Sequence, residues 1–137
     1  MSVKTLVTAV IAATGLAGLG ACQMADEAGI DTEAELFAAY ERTGETRDCV
    51  TTYNIDQIEP VTETLWLVRL RNGEVWLNEA GSGCNDADTP FTYLQYDIAG
   101  TSELCRGEIV RVIDQGGGIT VGSCNAGDFE RLTPAGN

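Results

Sequence analysis

The chemistry legible in this chain begins with its cysteines. Cys22 follows Leu19, Gly20 and Ala21 at the end of a segment that carries one cation, Lys4, and runs apolar from Leu6 to Leu19. A basic start, an apolar stretch and small residues before a cut site make a secretory signal. A thiol directly after the small pair is where diacylglycerol is attached in a bacterial lipoprotein signal. Cys22 is therefore the expected lipid-attachment site, and residues 1–21 the expected leader. The apolar stretch is shorter than the ~20 residues of a spanning helix, and Gly15, Gly18 and Gly20 dilute it. Anchoring then falls to acyl chains, which hold far better together than singly. Gln23 stands where an inner-membrane retention signal typically carries Asp. By analogy with enteric bacteria, that points to the outer membrane, with the domain facing the periplasm.

Cys49, Cys84, Cys105 and Cys124 remain. An even count in an exported chain reads as two disulfides. A four-thiolate metal site would normally show a Cys-x-x-Cys pair, whereas the gaps here are 35, 21 and 19 residues and the chain has no His. No metal or cofactor is expected. Four cysteines allow three pairings. If Asp114 faces Ile119 across the Gly116–Gly118 turn, Cys124 lies opposite Ile109, and Cys105 is ~13 Å further along the strand. That disfavours Cys105–Cys124. Cys84 and Cys105 flank the strand-like run 91–98, so the expected pairs are Cys84–Cys105 and Cys49–Cys124.

Without His, acid–base chemistry would rest on carboxylates, Tyr or Arg. Asp86 and Asp88 share a short loop, but that loop lacks the Gly and distal Glu of an EF-hand and reads as a polar turn. Asp56 and Glu59 have the chemistry of a glycosidase pair, yet nothing in their spacing separates them from surface charge. The three glycines at 116–118 lack the Lys and helix of a phosphate loop. No catalytic residue is assigned. Arg69 and Trp76 are the candidate surface contact, since Arg beside exposed Trp is typical of binding hot spots. A stacked cross-strand pair that merely shields a sheet is the favoured account of them.

The elements that must position these groups are mostly strands. Removing the leader leaves 116 of 137 residues, one domain's worth, divided into a tether at 22–31 and a domain at 32–137. Thr32 and Glu35 form a capping box that opens a helix near 32–42, with Leu36, Phe37 and Tyr40 as its buried stripe. Residues 64–78 read as a hairpin about Asn72-Gly73. A two-residue turn there puts Arg69 opposite Trp76 and Val68 opposite Leu77, with Trp66, Val68, Leu70, Val75 and Leu77 facing the core. Further strands are expected at 50–55, 91–98, 108–114, 119–124 and 129–132. The fold class is mainly β: a small curled antiparallel sheet or barrel of about six strands, with one short N-terminal helix and two disulfides.

Without the leader, residues 22–137 carry seven Arg, no Lys and 21 acids, a net charge of −14. Such a chain repels nucleic acid and anionic headgroups, which excludes duplex binding. The acids are scattered, as on a solvated surface.

Cys49-Val, the run from Leu65 to Trp76, Gly83-Cys84, the run from Leu104 to Val112 and Gly122-Ser-Cys124 together resemble a group of small proteobacterial lipoproteins catalogued as domain of unknown function 6491. The resemblance spans about 49–132. It implies export and a shared fold but brings no activity or substrate. Two function classes follow: a non-catalytic envelope lipoprotein, membrane-bound through its lipid, that engages an envelope protein or component; or a small periplasmic hydrolase or inhibitor using carboxylate, Tyr and Arg groups.

Overall fold

A computed structural model describes residues 29–97, 100 and 102–136. The leader, Cys22 and most of the tether lie outside the described residues.

The helix forms where the capping box places it. α1 (Glu33–Ala39) starts at Thr32, whose hydroxyl accepts the Glu35 N–H, while the Glu35 carboxylate accepts from Asp31 N. It is shorter than expected, because Tyr40 is already extended. Leu36 is fully buried, Tyr40 half-buried and Phe37 exposed, so the expected three-residue stripe reduces to one anchor.

Among the described residues ten strands follow, all antiparallel: β1 (Tyr40–Arg47), β2 (Cys49–Thr51), β3 (Ile55–Pro60), β4 (Leu65–Leu70), β5 (Val75–Glu79), β6 (Thr92–Tyr96), β7 (Glu103–Cys105), β8 (Ile109–Asp114), β9 (Thr120–Asn125) and β10 (Phe129–Pro134). The main sheet has the order β1-β10-β5-β4-β3, beside a three-stranded sheet β6-β8-β9 and a ribbon β2-β7. The sheets do not close into a barrel. Pro60 ends an edge strand, where its missing N–H breaks no ladder.

The main sheet is covered on both faces. Trp66, Val68, Leu70, Trp76 and Phe129 pack toward Val50, Leu104, Val110, Val112 and Cys124 of the smaller sheets. On the other face, Leu67, Leu77 and Leu132 pack with Leu36 of the helix and Val61. This explains why β4 reads as Leu-Trp-Leu-Val-Arg-Leu without clean alternation: both sides meet apolar neighbours. Each such side chain contributes roughly 1.5–3 kcal/mol by leaving water. Asn78 is the buried polar residue among them. Its amide nitrogen donates to the Gly127 carbonyl at 2.8 Å and its oxygen accepts the Gly127 N–H at 2.9 Å. A Cβ at Gly127 would run into the Glu79 carbonyl, so only glycine lets the chain pass so close.

The β4–β5 register differs from the two-residue turn by one position. Leu70 N–H donates to the Glu74 carbonyl, and Gly73 N–H to the Leu70 carbonyl, which makes a three-residue loop of Arg71, Asn72 and Gly73. Gly73 has φ 89°, and Asn72 is not among the positive-φ residues. A type I turn closed by a left-handed Gly replaces the expected two-residue turn. Val68 therefore faces Trp76, Leu67 faces Leu77 and Arg69 faces Val75. Trp76 is fully buried.

The disulfides also correct the expected pairing. They join Cys49 to Cys105 and Cys84 to Cys124. Gly107, at φ 87°, turns the chain sharply, so Cys105 belongs to a separate strand, β7, directly opposite Cys49 on β2. A register shift between β8 and β9 moves Cys124 from Ile109 to Val110. The bridges close separations of 56 and 40 residues, each restricting the unfolded chain by about 4 kcal/mol on the entropic estimate. As expected, Cys105 and Cys124 are not joined.

Two outcomes are expected. Non-reducing peptide mapping should recover Cys49–Cys105 and Cys84–Cys124, and mild thiol should open the half-exposed first bridge before the buried second one. Trp76→Ala should lower unfolding free energy by about 3–5 kcal/mol, against about 1 kcal/mol or less for Arg71→Ala on the exposed turn, as read by urea denaturation.

Candidate functional site: a cleft between two sheet edges

Arg69 and Trp76 do not form the expected surface contact. Arg69 sits on the helix side of the main sheet, donating to the Tyr40 hydroxyl at 2.9 Å and approaching Glu59 at 3.6 Å. Trp76 points to the opposite face, where Arg47 from β1 stacks 3.5 Å from its ring centroid and its indole N–H donates to Glu74. Burial pushes the Glu74 carboxyl up, but bonds with Trp76 and Asn72 and the charges of Arg47 and Arg131 outweigh it and hold the group below the ordinary carboxylate range. This cluster closes the core edge and is internally neutralised. At the neighbouring β1–β10 edge, Arg42 bonds Glu130 at 2.7 Å, which lowers that carboxyl too.

A concavity lies elsewhere. A cleft of about 710 Å³ opens between β3 and β6, bordered by the connection that carries Asp88, Thr89 and Pro90. Both strands are sheet edges. Among the described residues, β3 makes ladder bonds only to β4 and β6 only to β8. The cleft is thus a gap where the curled sheets fail to meet.

Its floor is core. Ile58, Leu94 and Tyr96 are half-buried residues that pack on the main apolar cluster and also line the cleft. Tyr93, half-exposed, and Pro90 extend the apolar wall outward. Burial raises the Tyr96 phenol above its usual value, so it remains a neutral hydroxyl across the physiological range. Three exposed carboxylates, Asp31, Asp56 and Asp88, stand on the lining and no Arg does. Six of the seven Arg side chains of the domain are in ion pairs outside the cleft.

The bordering connection is held by hydrogen bonds between side chains and the Asp86 peptide. Asp86 takes a left-handed conformation, φ 60°, and its N–H donates to Glu63. Its carbonyl accepts the hydroxyls of Thr89 at 3.0 Å and Thr92 at 2.7 Å. Of the carboxylates weighed from sequence, Asp56 and Asp88 meet at this cleft. Glu59 instead holds the chain entry, accepting the Ile30 N–H at 3.2 Å. Cys49, Glu103 and Cys105 lie close enough for a metal, but the two sulfurs are bonded to each other. The cleft itself was not legible in sequence: its walls come from segments about 30 residues apart, and only unpaired edges mark it.

Among the described residues no helix is long and apolar enough to cross a membrane. No family model, curated protein or solved structure matches the chain; the functional reading rests on the geometry and the sequence.

Tyr96 gives a direct check on the cleft floor. A folded-state value raised above the unfolded one, about 10, contributes stability that is present below pH 10 and lost as pH rises through the folded value. Alkaline titration of phenolate absorbance should show one late-ionising tyrosine that disappears in Tyr96→Phe, and that variant should lose less stability above pH 10.

Proposed function

We propose that this protein is a lipid-anchored envelope lipoprotein whose β domain is a non-catalytic binding module facing the periplasm, with the β3–β6 cleft as its binding site. The observation that carries the binding role is an opening into the core between two unpaired sheet edges. Concave, mostly apolar sites with a few polar groups on the rim are the usual form of a ligand site.

The anchoring role comes from the leader and Cys22, supported by the place where the chain enters the domain. Ile30 is bonded to Glu59 of β3, and Asp31 lines the cleft. Gly29 lies seven positions after Cys22, a reach of at most about 25 Å. A lipid on Cys22 would keep the cleft close to the membrane surface. Outer-membrane attachment follows from Gln23 in the same reading.

Binding is favoured over catalysis by how the cleft's hydroxyls are used. Thr89 and Thr92 are committed to the Asp86 carbonyl, and burial holds the proton on Tyr96. Neither arrangement activates a nucleophile.

Mass spectrometry of the membrane fraction should find an acylated N-terminus at Cys22 with residues 1–21 removed. Cys22→Ser should leave the protein unprocessed or release it from the membrane. An intact Met1 beside a free Cys22 thiol would refute the anchor.

A further inference from the structure

Resting on the cleft as the binding site, we propose that its occupant is an extended, basic polypeptide segment that adds as a strand between β3 and β6. Three features of the cleft converge on that chemistry.

The first is backbone. An edge strand presents a row of N–H and C=O groups without partners, a template for another extended chain. Here two such edges border one gap: β3 over Ile55–Pro60 and β6 over Thr92–Tyr96. A compact ligand would leave these groups to water, whereas a strand bonds them along their length.

The second is the alternation of environment across the gap. Ile58, Leu94 and Tyr96 form the apolar floor, and Asp56 and Asp88 are exposed at the rim. Successive side chains of a strand point to opposite faces. A segment alternating apolar with cationic residues would put the first set on the floor and the second against the carboxylates.

The third is charge. Asp31, Asp56 and Asp88 line the cleft with no Arg among them, in a chain whose residues 22–137 hold seven Arg and 21 acids. Such a field draws in a basic segment and repels acidic ones. It also repels the tether, which carries Asp26 and Glu27, so the chain's own N-terminal segment is a poor occupant.

The test uses full-length protein purified in detergent, with amide resonances followed by NMR. The probe is a ten-residue peptide alternating Lys and Val. It should shift amides in 55–60 and 92–96, and binding should weaken about threefold for each of Asp56→Asn and Asp88→Asn. The same peptide with alternate backbone amides N-methylated should bind roughly tenfold more weakly or not at all. A Glu–Val peptide should not bind. Equal binding of the N-methylated or the Glu–Val peptide overturns the strand proposal, as do shifts confined to other strands. Nile red, a neutral apolar dye, separates the two levels. If the dye shifts the cleft amides and the Lys–Val peptide does not, the binding site stands and the strand occupant falls. If neither probe shifts them, both fall.

Discussion

The register of the β4–β5 hairpin is the constraint on which the other features depend. In a sheet with one wet face, the hydrophobic pattern sets register, because a slip by one residue would turn apolar groups to solvent. Here both faces are covered, and Leu65–Leu70 is apolar at nearly every position. A slipped register would still bury apolar side chains, so the pattern decides weakly. The decision passes to the loop, where Gly73 closes a three-residue connection. That choice sends Trp76 toward the smaller sheets and Leu77 toward the helix. It also gives Phe129 its place opposite Asn78, the residue that grips the Gly127 peptide.

From that centre the molecule is built outward to edges of different character. The β1 edge is polar along its whole length and laced with ion pairs from Arg42 and Arg47, a common way of making an edge unattractive to other chains. The ribbon β2-β7 is too short to stand alone, and Cys49–Cys105 staples it. Cys84–Cys124 ties the connection before the cleft to β9. The β3 edge carries one ion pair, Glu59 with Arg69, and both β3 and β6 open onto half-buried core.

Much of the frame was legible in the sequence because it rests on local signals. The Thr32–Glu35 cap, the β8–β9 turn closing Asp114 on Ile119, and the oxidised state of four cysteines all follow from neighbouring residues or counting. What was missed depends on distant partners. β1 reads Tyr-Glu-Arg-Thr-Gly-Glu-Thr-Arg and shows no alternation, since it is an exposed strand held by backbone bonds to β10. Disulfide pairing turned on the bend at Gly107, which separates β7 from β8. The roles of Arg69 and Trp76 turned on one residue of register. The candidate cleft is a property of two edges left apart, and no spacing of residues announces it.

The central claim is that β3 and β6 are open edges in the isolated protein and covered in its native setting. Hydrogen exchange compares the two states directly, on purified protein and on protein within isolated envelope membranes. The outward amides of 55–59 and Thr92–Tyr96 should exchange fast when purified and slow markedly in the envelope, while β4 and β5 stay protected in both. Equal protection of those edges in both states would contradict it.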